Sequence, residues 1–122
     1  MVIDVVKEKT WVPEWNGNRD ADESDQVQFV HRFLSPSERR KYYNWHHVDE
    51  SNKVKPHIDI TGHARAVLVR IDNLTLKVDG TEKPIKTEKD LYETAGVPQA
   101  LVEEWEAYIV GADPQVDSDP LQ

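Results

Sequence analysis

The sequence predicts an α+β domain in which a small antiparallel sheet, made of N-terminal strands and a hairpin near 74–85, packs with about four helices. Three observations carry this. The segments run strand, strand, helix, helix, hairpin, helix, helix, without the strict alternation of a doubly wound parallel sheet. Asp79-Gly80, flanked by alternating apolar residues, marks a tight hairpin. Ser35 with Glu38, and Thr87 with Asp90, pair a capping hydroxyl with an acid three positions later, as helix starts do. The length of 122 residues suits one domain. It is assigned to 1–110, with an acidic loop at 16–26 and a flexible acidic tail at 111–122.

Val2, Ile3, Val5 and Val6 form a β-branched cluster, and Thr10-Trp11-Val12 stops at Pro13, so one or two short strands open the chain. Residues 16–26 hold one Ala and no larger apolar side chain, and read as a loop. Val27, Phe29, His31 and Phe33 then alternate with Gln28, Val30, Arg32 and Leu34, the clearest strand in the chain, with apolar residues at 30 and 34 implying cover on both faces. In Ser35-Pro36-Ser37-Glu38 the Ser is an N-cap, the Pro the first helical residue and the Glu the third, so a helix is expected from Pro36 to about Val48. Residues 49–57, rich in Asp, Glu, Ser, Asn and Lys and carrying Pro56, read as a loop.

Between 58 and 73, Ile60, Ala64, Val67, Leu68 and Ile71 share a helical face, while Val67, Val69 and Ile71 alternate as in a strand; the helix is favoured. Leu74, Leu76 and Val78 lead into Asp79-Gly80, and Thr81 to Ile85 return, with Pro84 confining the return strand to an edge. A short helix around Leu91, Tyr92 and Ala95 ends at Gly96. Pro98 opens the last helix, in which Leu101, Trp105, Tyr108 and Ile109 line one face, a core contact.

Fifteen basic against twenty-three acidic residues give a net charge of −8, which opposes binding to nucleic acid or to an anionic membrane. The acidity sits at the ends: by count, 1–34 carry about −3, 35–57 about +2, 58–97 about −1 and 98–122 about −6. Without cysteine there is no disulfide, thiol nucleophile or zinc–thiolate site. No apolar run approaches 20 residues, and Val2–Val6 is too short for a signal peptide, so a cytoplasmic protein is expected.

Catalytic patterns are absent. The five glycines are isolated, so no phosphate-cradling loop exists, and no serine sits in a nucleophile elbow. His46 and His47 are adjacent on the expected helix, about 100 degrees apart, and would not chelate one ion there. The set with the best metal spacing is His57, Asp59 and His63, because an extended His-x-Asp turns both side chains to one face, but no metal motif accompanies it. The chain is therefore read as a non-enzyme without cofactor or resident metal.

Two segments concentrate aromatic residues. Arg39-Arg40-Lys41 is followed by Tyr42, Tyr43 and Trp45, and the opening loop contains Trp11-Val-Pro-Glu-Trp15-Asn-Gly-Asn18-Arg19. Rigid rings on polar elements bury much area at small entropic cost, which suits protein docking. The Trp11–Arg19 opening, the Ser35–Glu38 helix start, the Ile71-Asp-Asn73-Leu74 run, Asp79-Gly80, Ile85-Lys-Thr87 and Asp90-Leu91 together resemble, in layout over 11–110, the small tail assembly chaperones of long-tailed bacteriophages and prophages. That resemblance implies a non-enzymatic holdase in the bacterial cytoplasm that associates with the tape-measure protein or tail-tube subunits and is absent from the finished tail. Trp11, Trp15, Tyr42, Tyr43 and Trp45 are the expected partner-binding residues. The alternative is a small acidic inhibitor that mimics nucleic acid, with Glu103, Glu104, Glu106, Asp113, Asp117 and Asp119 as phosphate-like charges.

Overall fold

In the computed structural model, which describes residues 1–112, strand β1 (Lys9–Trp11) is followed by a 3-10 turn (Trp15–Asp20) and β2 (Gln28–His31). Then come helix α1 (Pro36–Tyr42), β3 (Tyr43–Val48), β4 (Val54–Ile58), α2 (Ile60–Val67) and β5 (Leu68–Asp72). The hairpin β6 (Thr75–Val78) and β7 (Thr81–Pro84) precedes α3 (Glu88–Glu93) and α4 (Gln99–Gly111). The fold is α+β, with antiparallel pairing throughout the described sheets. The tail expected at 111–122 lies, from residue 113 onward, outside the described residues.

Three small sheets form in place of one. A three-stranded sheet has the order β1-β2-β5, while β3–β4 and β6–β7 are separate two-stranded ribbons. The β6–β7 hairpin turns through Asp79 (φ 50°) and Gly80 (φ 79°), the left-handed pair that a two-residue hairpin requires. One backbone bond joins it to the main sheet, from Ile71 N–H to the Lys86 carbonyl at 2.9 Å, and a second, from Ile85 N–H to the Leu74 carbonyl at 2.8 Å, closes the open end of the hairpin.

One aromatic cluster holds the sheet to α4. Trp11 meets Phe29 edge-on at 5.4 Å and stacks on Tyr108 at 4.5 Å, and Phe29 lies 5.1 Å from Trp105. Around it Val67, Ile71, Ile85, Leu91, Leu101 and Ile109 are buried, so the face of the last helix read from sequence does enter the core. Thr87 caps α3 and Ser35 caps α1, each with the reciprocal capping-box bond from the acid three residues on.

Four expectations are corrected. Val2–Val6 forms no strand: only Val5 makes an isolated bridge, and Val2, Ile3 and Val5 are exposed, since β-branched residues need a neighbouring strand to be held extended. The helix begun at Pro36 ends at Tyr42 instead of Val48. Its good helix formers run from Glu38 to Lys41, and the following Tyr-Asn-Trp-His-His-Val favours extended backbone. The loop at 49–57 shrinks to a turn at 49–53 followed by β4. There Asp49 accepts hydrogen bonds from the Ser51 and Lys53 amides and the Ser51 hydroxyl at 2.8–3.0 Å, and Asn52 takes a left-handed φ of 65°. Residues 58–73 divide between α2 and β5, because Ile60, Ala64 and Val67 follow a helical period and Leu68 and Ile71 then pack within the sheet.

The loop at 16–26 contributes no core residue but is firmly tied. The Asn18 amide donates to the Pro13 and Val27 carbonyls at 2.9 and 3.0 Å and accepts from Val27 N–H at 2.7 Å. Glu104 on α4 accepts from the Glu14 and Trp15 amides at 2.6 and 2.9 Å. Replacing Asn18→Ala removes three hydrogen bonds and leaves part-buried backbone groups unpaired. The expected loss is about 1–3 kcal/mol in urea unfolding; a change within about 0.3 kcal/mol would mean that the loop is not anchored by this side chain.

Candidate functional site

The β3–β4 ribbon holds four of the large apolar side chains left exposed; the others are Met1, Val2, Ile3 and Val5 at the start of the chain and Ile60, Val69, Val78 and Val110 on other elements. Its register pairs Tyr43 with Ile58, Asn44 with His57, His47 with Lys55 and Val48 with Val54. Side chains alternate across a strand, so Tyr43, Val48, Val54, Pro56 and Ile58 share one face while Asn44, His47, Lys55 and His57 share the other. Between Asn44 and His47 the register shifts, and Trp45 and His46 together oppose the single Pro56. Pro56 has no N–H to give, and the bulge is where a ladder bond is not required. The freed His46 amide donates to the Asn44 side-chain oxygen at 3.0 Å instead.

Trp45 is 61% exposed, Val48 53%, Val54 64% and Ile58 49%, in a ribbon whose only half-buried residue is Tyr43. Arg39, Arg40, Lys41 and Lys53 are exposed beside it. A two-stranded ribbon in water is marginal and has two open edges.

The ribbon is fastened at one end. The Tyr42 carbonyl accepts from Asp59 N–H at 2.8 Å, and Asp59 caps α2 by accepting from Gly62 N–H at 2.8 Å. Tyr42 passes so close that a Cβ at Gly62 would lie 2.8 Å from its Cδ1, which excludes any larger residue there without movement. Burial, with Asp59 nearby, raises the Tyr43 phenol above its usual range, so its hydroxyl keeps its proton, and it shares a hydrogen bond of 2.8 Å with His63 Nδ1. His63 is buried, and desolvation, aided by the charges of Arg39 and His31, lowers its pKa to about 4, so the ring is neutral at pH 7. Arg39 lies 5.2 Å above the Tyr43 ring.

The five expected partner-binding residues separate. Tyr42, Tyr43 and Trp45 gather on the ribbon and its root. Trp11 is only 9% exposed and belongs to the aromatic core, away from the ribbon. Trp15 is half-buried and walls a pocket of about 210 Å³ with Pro13, Val27 and Leu101. Sequence reasoning missed Val48, Val54 and Ile58. The signal was the alternation Val54-x-Pro56-x-Ile58 after an Asp-Glu-Ser-Asn turn, obscured by Pro56.

His57, Asp59 and His63 do not converge. His57 is exposed on β4, Asp59 caps α2, and His63 is buried against Tyr43. Among the described residues no three His, Cys, Asp or Glu side chains gather as a metal ion would require. The acidic run on α4 is also largely engaged: Glu104 holds the Trp15 turn, and Glu106 accepts from the Thr61 and Tyr92 hydroxyls at 3.0 and 2.9 Å. Glu103 alone of the three is exposed; Asp113, Asp117 and Asp119 lie outside the described residues.

The chain matches no protein-family model, no curated protein and no solved structure. Among the described residues no helix is long and apolar enough to cross a membrane.

His31 is the second buried imidazole. Its Nδ1–H donates to the Arg32 carbonyl at 3.0 Å, which leaves Nε2 to accept from the Tyr108 hydroxyl at 2.8 Å, and burial lowers its pKa. Both rings are held neutral in the fold, whereas in the unfolded chain they take a proton below about pH 6.5. For His63 protons therefore bind the unfolded state preferentially between pH 6.5 and 4, and stability is lost as pH falls through that window; His31 acts in the same direction below pH 6.5. His63 alone accounts for a drop of about 3 kcal/mol across it. Urea unfolding of His63→Gln at pH 7.5 and 4.5 is expected to show a clearly smaller difference than the parent; an equal difference would mean that His63 is not the titrating group.

Proposed function

We propose that this chain is a non-catalytic binding protein that docks another protein on the apolar face of the β3–β4 ribbon, with Trp45 as the anchor. The observation that carries the reading is the amphipathic ribbon itself. Val48, Val54 and Ile58 stand on one face at about half exposure or more, next to an uncovered tryptophan, on an element that the core supports only through Tyr42 and Tyr43. A contiguous apolar surface with a basic rim is what a partner covers, and aromatic anchors carry most of the energy of such contacts.

The layout resemblance gives this surface a specific use, that of a tail assembly chaperone of a phage or prophage in the bacterial cytoplasm. The partner is then the tape-measure protein or the tail-tube subunit. A long amphipathic chain exposes apolar stripes before the tube encloses it, and a holdase must offer complementary apolar surface while staying dissolved. The net charge of −8 supports the second requirement, and the ribbon supports the first.

Co-expression with the neighbouring tape-measure and tail-tube gene products, followed by purification and titration, tests this. Trp45→Ala and Val54→Asp are each expected to weaken binding at least tenfold, a loss of about 1.4 kcal/mol or more, with an unchanged melting temperature. Trp15→Ala, remote from the ribbon, is expected to change it less than twofold. Failure of both products to co-elute, or equal effects of Trp15→Ala and Trp45→Ala, would remove the proposal.

A further inference from the structure

Of the five histidines, His31 and His63 are buried and hydrogen-bonded, whereas His46, His47 and His57 are exposed on the ribbon. His57 lies two residues along β4 from Lys55, the cross-strand partner of His47, so the two imidazoles are diagonal neighbours on one face. Their ring centres are 5.4 Å apart, with the planes tilted by 40°. With metal–nitrogen bonds of about 2.1 Å, two imidazoles on one tetrahedral or square-planar ion hold their ring centres roughly 5 Å apart. The strand register thus brings the two rings to about the separation that a shared ion needs.

We propose that His47 and His57 form a two-imidazole site for a divalent transition ion of the Zn²⁺, Ni²⁺ and Cu²⁺ class, with water in the remaining positions. The donor set selects that class: both ligands are nitrogen, which Mg²⁺ and Ca²⁺ disfavour. Asp49, the acid in the turn, is engaged with Ser51 and Lys53 and does not add an oxygen. Lys55, the one cation on this face, has its ammonium held by Asp49 Oδ2 at 3.2 Å, which reduces its repulsion of an ion beside it. The site replaces the metal set read from sequence: His57 is retained, and its companion is His47 across the strand rather than His63 along the chain.

Such an ion acts as a clip. It bridges β3 and β4 next to the bulge, where Pro56 leaves the ladder without a donor, and so stiffens the ribbon. The site stands whether or not the apolar face opposite binds a partner, and it is tested without one.

The full chain, free of any histidine tag, is titrated calorimetrically with Zn²⁺, Ni²⁺ and Cu²⁺ at pH 7.5, with Mg²⁺ as control. One Cu²⁺ or Ni²⁺ ion per chain is expected, with electron paramagnetic resonance of the Cu²⁺ form showing two imidazole nitrogens. His47→Ala and His57→Ala should each weaken binding at least tenfold, while His46→Ala and His63→Gln change it less than twofold. Circular dichroism of each variant checks folding, and ring-proton NMR shifts of the unsubstituted chain locate the ion independently of any substitution. Absence of one-to-one binding, equal loss in His46→Ala and His47→Ala, or ring shifts confined to other histidines would each overturn the site.

Discussion

The core of this domain depends on the contact between α4 and the three-stranded sheet. Trp105 sits against Phe29, and Trp11 is enclosed by Phe29, Trp105 and Tyr108, so strands from the first third of the chain are fixed by a helix from the last. The aliphatic residues Leu101 and Ile109 extend this seam, and α2 and β5 fill in beneath it. Among the buried polar groups the His31 imidazole is placed to fit, whereas the Trp105 indole Nε1 finds no hydrogen-bond partner. His31 enters the aromatic cluster only because both its ring nitrogens find partners, Arg32 O and Tyr108 Oη, and its neutral state follows from the same burial.

That packing explains the ribbon by contrast. Among the described residues the core reaches it through Tyr42, stacked near His63, and Tyr43, bonded to His63 Nδ1. Beyond these two rings no side chain of β3 or β4 is buried, so hydrogen bonding between the strands and an Asp49-centred turn must hold the rest. The hydrophobic effect does not favour Val48, Val54 and Ile58 where they stand in the free chain. An imidazole face on one side and an apolar face on the other give the element two separate surfaces, so the proposed metal site and the proposed docking face do not overlap.

Local signals were legible where one or two residues decide the backbone. Ser35-Pro36-Ser37-Glu38, Thr87 with Asp90, and Asp79-Gly80 each satisfy backbone groups or supply positive φ within a few residues, and each is found where the sequence places it. The α4 stripe was legible because it repeats over three turns. The end of α1 was not, because Tyr43 to Val48 has no Gly or Pro breaker; its weak preference for extended backbone becomes a strand through the pairing with Val54–Ile58. Pro56 misled for the opposite reason, since a proline that ordinarily argues against a strand here sits opposite a bulge. Of the candidate site, Tyr42, Tyr43 and Trp45 could be picked out as aromatic, but Val54 and Ile58 gain meaning only once a register aligns them.

The sequence by itself determined the α+β class, the caps, the tight hairpin and the apolar face of the last helix, because these follow from interactions between residues within about a helical turn or a hairpin. Which tryptophans face solvent was decided only by tertiary structure. Trp11 and Trp45 are alike in local context, both in short strands beside polar residues. The first meets Phe29 and Tyr108 from distant parts of the chain, and the second meets none. The same holds for the histidines, since a pairing across strands is set by register and is invisible to spacing along the chain.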